Sequence, residues 1–127
     1  MPDIEVNSET TIARGPSHSG ELLSGTEFLE GLRHVVGFVV HPPAADPLAL
    51  VVERIVKAPA VSQSRLLLRI LIALVHTRGE FRRAEIAALD AATLALVIHL
   101  MDLRIAGTRS EREWADAAKA AEAASAW

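Results

Sequence analysis

The chain has 127 residues, half of them hydrophobic, a net charge of −3, no cysteine, and an aromatic set of only three Phe and two Trp. That length is one domain's worth and lets a fold bury roughly two thirds of the surface its unfolded chain exposes. Without cysteine there is no disulfide, thiolate metal site or cysteine nucleophile, and so few aromatics leave little for base stacking.

Residues 1–23 scatter Pro2, Asn7, Ser8, Gly15, Pro16, Ser17, Ser19 and Gly20 among isolated apolar residues. No helical or strand period runs through them, so a flexible tail is expected, followed by a single helical domain over 24–127. Ser24-x-x-Glu27 forms a capping box, and Leu23 is placed to staple onto Phe28. Phe28, Leu29, Leu32, Val35, Val36 and Val39 follow at helical spacing, which predicts a helix reaching to Pro42-Pro43. The β-branched cluster at 35–40 leaves a strand as the alternative there.

Asp46-Pro47 reads as a cap followed by proline at the first helical position, with Leu48, Val51, Val52 and Ile55 on one face and Pro59 beyond the end. Ser62 is expected to cap a third helix, stapled by Val61 and Leu66 and closed by Gly79. A short helix over about 82–89 comes next. Asp90 then caps a long helix ending at Gly107, and Ser110-x-x-Glu113 opens an alanine-rich one through about Ser125. The chain therefore reads as all-α, a compact orthogonal or bundle-like arrangement of about six helices.

Residues 66–75 and 94–105 are apolar almost all the way round. A helix without a polar face must be surrounded, and a short chain has few elements to do it. Mean hydropathy is also high, at +0.27. Surplus apolar surface of this kind predicts a protein partner, first of all a second copy of the chain, since monomers avoid large apolar patches. Val97, Ile98 and Met101 are the interface candidates on the fifth helix, with Trp114 and Trp127 as anchors. The small-residue face Trp114, Ala117, Ala118, Ala121 and Ser125 invites the same reading.

Charge is unevenly spread. Residues 1–61 hold eight acidic and four basic side chains, whereas residues 62–112 hold five acidic and eight basic. Arg65, Arg69, Arg78, Arg82 and Arg83 lie in a helix–turn–helix rhythm and are the candidate contacts of an alternative, DNA-binding reading. Against it, a recognition helix must offer polar groups to base edges, and positions 94–101 are almost wholly apolar. Arg69, Asp102 and Arg104 interrupt the apolar helices, which suggests an Arg69–Asp102 bridge between them.

Nothing points to catalysis, a cofactor or a metal. The serines sit at caps and in the tail, and His34, His41, His76 and His99 lack ligand spacing. The apolar runs, about 10–12 residues, fall short of the about 20 a bilayer span needs, and the N-terminus does not read as a signal peptide. A cytoplasmic protein is expected. The preference for Arg over Lys, with abundant Ala, suggests a bacterial source. The sequence thus predicts a small non-enzymatic interaction module, either a homo-oligomer or a subunit or adaptor of a larger assembly.

Overall fold

A computed structural model of the chain describes residues 22–38, 40–43, 45–76 and 81–125. In chain order the elements are β1 (Leu22–Leu23), α1 (Gly25–Val35), α2 (Pro47–Lys57), α3 (Ser62–His76), β2 (Phe81–Arg82), α4 (Arg83–Ala88), α5 (Ala91–Ala106) and α6 (Glu111–Ser125). The fold is all-α, with six helices among the described residues. No helix there is long and apolar enough to cross a membrane.

Most helix starts follow from their caps. The Ser24 hydroxyl accepts the Glu27 N–H at 3.2 Å while the Glu27 carboxylate accepts the Ser24 N–H at 2.9 Å, so two otherwise orphaned donors are satisfied together. Ser110 and Glu113 repeat the arrangement at the head of α6. Asp46 accepts from the N–H of Ala49, and Asp90 from that of Thr93. Gly107 closes α5 in the left-handed region at φ 68°, where a Cβ is penalised.

Three boundaries differ from expectation. α1 stops at Val35 and not at Pro42-Pro43: Val36 is already extended, with ψ 120°, and Gly37 follows. Glycine costs about 1 kcal/mol in a helix interior and β-branched residues are weak helix formers. Beyond Val35, Val36 and Val40 are only partly buried against the core and Phe38 is 40% exposed. α3 is led by Val61, whose carbonyl accepts the Arg65 N–H, so Ser62 is the first helical residue and no cap. Leu22 and Leu23 do not belong to a tail. They pair antiparallel with β2, Leu22 opposite Arg82 and Leu23 opposite Phe81. Two residues were too few to announce a strand by period. Residues 1–21 and Gly79 lie outside the described residues.

α5 is the central element, flanked by α1, α2 and α3, while α6 lies against α2 and α3. Its Leu94, Val97, Ile98, Leu100 and Met101 meet Leu67, Ile70 and Leu71 of α3, Val51 and Ile55 of α2 and Leu32 of α1 in one buried cluster. Phe28 and Phe81 stack with ring centroids 4.8 Å apart beneath the β1–β2 ladder. Gly31 lets α1 approach α4 closely, for a Cβ there would come within 2.6 Å of the Ile86 Cδ1.

Arginine–carboxylate pairs tie the helices together. Arg33 of α1 reaches both oxygens of Asp102 on α5, at 2.6 and 2.7 Å. Arg69 pairs with Glu85 of α4, and Arg104 forks onto Glu111. The expected Arg69–Asp102 bridge is therefore not made. Each residue is paired, but α4 and α1 supply the partners, and sequence periodicity cannot say which helix crosses which.

Candidate functional site

The residues singled out as an interface are buried within the chain. Val97 is 0% exposed, Ile98 1%, Met101 2% and Trp114 1%. These four interface candidates are core residues, because three helices enclose α5 and the end of α5 covers Trp114, with the Arg104 guanidinium 5.0 Å above its ring. Trp127 lies outside the described residues.

Arg65 and Arg82 are exposed, on α3 and β2, and Arg83, also exposed, opens α4. Arg69 is committed to Glu85, and Arg78 lies outside the described residues. In the sequence-based alternative α5 would be the recognition helix, yet the stripe it turns to the groove is Ala92, Ala95, Leu96 and His99. Only His99 on that stripe could read a base edge. Among the described residues no group of three or more His, Asp or Glu gathers to hold a metal.

What sequence reading missed is a groove between α2 and α5, an open concavity of about 630 Å³. Leu50, Glu53, Arg54 and Lys57 line one wall and Ala92, Ala95, Leu96 and His99 the other. Each set falls at i, i+3, i+4 and i+7, one stripe of its helix. The two stripes run in opposite senses, because the Arg54 carbonyl, late in α2, accepts from Ser64, whose neighbour Gln63 accepts the N–H of Asp90 at the head of α5. Leu50, Ala95 and Leu96 make the middle of the groove apolar, with Pro43 and His99 towards one end and Val61 and Ala58 towards the other.

Hydrogen bonds tie the corner near Arg54 together. Gln63 donates to the Ala88 carbonyl and accepts the Asp90 N–H, both at 2.9 Å, which clips the head of α3 to the α4–α5 junction. Ser64, only 3% exposed, donates its hydroxyl to the Arg54 carbonyl at 3.4 Å. The Asp90 carboxyl titrates below its ordinary value of 3.8, chiefly because the Thr93 N–H donates to it at 2.8 Å. The Thr93 hydroxyl adds to this, standing near without full hydrogen-bond geometry, and the Arg54 charge contributes further against slight burial.

Comparison with known proteins finds no matching family model, no matching curated protein and no matching solved structure. The reading of function therefore rests on this geometry alone.

Proposed function

We propose that the chain is a protein–protein interaction module, a subunit or adaptor, that receives an amphipathic helix of a partner protein in the α2–α5 groove. The observation that carries this reading is a pair of antiparallel stripes flanking an open concavity, with Ala92, Ala95 and Leu96 on the α5 wall and Leu50 beside Glu53, Arg54 and Lys57 on the α2 wall. Two helices so spaced present the holes into which apolar side chains at i, i+3 and i+4 of a third helix fit. Shape also bears on the identity of the partner. A two-fold dimer opposes identical surfaces, and a concave surface leaves a void against its own copy, so an inserting helix fills the groove better.

A display library of amphipathic helices, sorted for binding to the intact chain and re-measured on Leu96→Arg, tests this. Leu96 is only partly buried, so the variant is expected to keep its helical circular dichroism. Selected helices should bind the parent and lose about tenfold or more in affinity on the variant, as when a central contact of an interface is removed. A library that yields no binder, or binders indifferent to Leu96→Arg, would overturn the assignment.

A further inference from the structure

Resting on that reading, we infer that Asp46 and Arg109 are a positioning pair for the groove. Their fork sets the spacing of α2 from α5 at the end marked by Pro43 and His99, and with it the size of side chain accepted there. Neither residue lines the groove, so the pair acts on an occupant only through the helices it joins.

The two ends of the groove are tied by different chemistry. At the end marked by Ala58 and Val61 the ties are uncharged. Ser64 donates to the Arg54 carbonyl there, and Gln63 bonds both the Ala88 carbonyl and the Asp90 N–H. At the opposite end Arg109 donates to both carboxylate oxygens of Asp46, at 2.5 and 3.1 Å, with each side chain 29% exposed. A two-pronged contact fixes orientation as well as distance, and partial burial reduces its screening by salt. Both partners are anchored. Asp46 also accepts the Ala49 N–H, which binds it to the first turn of α2. Arg109 lies between the left-handed Gly107 that closes α5 and the Ser110 capping box that opens α6. Its other acidic neighbour, the half-exposed Glu113 at 4.0 Å, is the weaker one.

The fork therefore joins the head of α2 to the tail of α5. Leu48, Val51 and Ile55 hold the buried face of α2 on the core, which leaves the fork to resist a swing of the helix head away from α5. Close-packed surfaces register a change of a single methylene. A small shift of α2 thus changes which side chain fits between Leu50 and the Ala95, Leu96 and His99 wall.

The chain has no cysteine of its own, so paired spin labels can report the spacing without any binder. Leu50→Cys with His99→Cys probes the forked side, and Lys57→Cys with Ala92→Cys the other. Asp46→Ser, which keeps a capping oxygen, and Arg109→Ala should each lengthen or broaden the first distance and leave the second unchanged. Arg69→Ala, which breaks the ion pair of α3 with α4, should move neither. Helices selected on the parent should bind Asp46→Ser and Arg109→Ala about three- to tenfold more weakly, at a temperature where both variants keep the parent's circular dichroism. The double variant should lose no more than either single one, as expected of two residues acting as a unit. Helices selected anew on Arg109→Ala should carry bulkier apolar side chains where they face Leu50 and His99. Unchanged distances and affinities, with only a lower unfolding midpoint, would overturn the positioning role and leave the groove reading standing. Distances that respond to the fork, with no helix selected by the library, would keep the spacing role and overturn the groove reading.

Discussion

Arg69 on α3 and Glu85 on α4 form an ion pair whose carboxylate is 7% exposed while its guanidinium is 51% exposed. The asymmetry sets what each substitution does. Arg69→Ala strands a nearly buried charge, and losing one partner of a fully buried pair costs 3–5 kcal/mol. Water reaching the half-exposed arginine site screens part of that, so about 1–2 kcal/mol is expected. Glu85→Leu leaves the cation free to turn into solvent and should cost less. Urea unfolding of both single variants and of the double variant checks this. Equal losses for the two single changes would mean that the pair contributes as a surface contact only.

Asp46 serves two elements at once. Its carboxylate caps α2 through the Ala49 N–H at 3.3 Å and accepts a two-pronged fork from Arg109, at 2.5 and 3.1 Å, in the α5–α6 connection. Asp46→Ala removes both roles and should cost about 2 kcal/mol, whereas Asp46→Ser keeps a capping oxygen and loses only the fork. Arg109→Ala should fall near Asp46→Ser, at about 1 kcal/mol, because each removes the fork and the further 4.0 Å contact of Arg109 with the half-exposed Glu113 is worth little. Midpoints of thermal unfolding would give the order Asp46→Ala below Asp46→Ser and Arg109→Ala. Asp46→Ser as harmful as Asp46→Ala would assign all of the effect to the fork.

Asp90 gives the fold an acid-sensitive contact. Its folded-state pKa lies below the ordinary 3.8, so the unfolded chain takes up the proton first as pH falls. The stabilisation is complete above about pH 5 and is lost as pH drops through 3.8 towards the folded value. Asp90→Asn can still cap and still spans the α4–α5 corner, but it carries no charge. It should lie slightly below the parent in stability at pH 7, and the difference should shrink towards pH 3. Unfolding curves of the two chains at several pH values measure it, and a difference independent of pH would remove the carboxylate's charge from the account.

The helices were legible in the sequence because their caps are local. Ser24, Asp46, Asp90 and Ser110 each bond within three residues, a distance that spacing alone reveals. Pairings between helices were not legible. Asp102 meets Arg33, 69 residues away, and nothing in the period of either helix names the other. The groove was hidden for a related reason. Leu50, Glu53, Arg54 and Lys57 read as the polar edge of one helix, and Ala92, Ala95, Leu96 and His99 as part of another that is apolar all round. Their significance arises only once the antiparallel packing of α2 on α5 sets the stripes side by side. The same all-round apolarity made Val97, Ile98 and Met101 look like surface to be covered by a partner, when α1, α2 and α3 already cover that helix.

Neighbouring positions on α5 separate the two explanations of that apolar surface. Val97 is 0% exposed inside the cluster, whereas Leu96 stands partly exposed on the groove wall. A carboxylate at Val97 would be buried without a partner, at a cost of several kcal/mol in addition to the lost packing. Against a total stability of about 5–15 kcal/mol, Val97→Asp is expected to unfold the chain or leave it marginally folded. Leu96→Asp keeps its charge within reach of water and should retain the parent's circular dichroism, with a midpoint only a few degrees lower. Light scattering completes the comparison. An adaptor whose groove awaits a different protein should give the mass of one chain, 13.6 kDa, for the parent and for Leu96→Asp alike. A stable two-chain mass that Leu96→Asp reduces to one chain would assign the groove to a second copy, while a folded Val97→Asp would return Val97 to the surface.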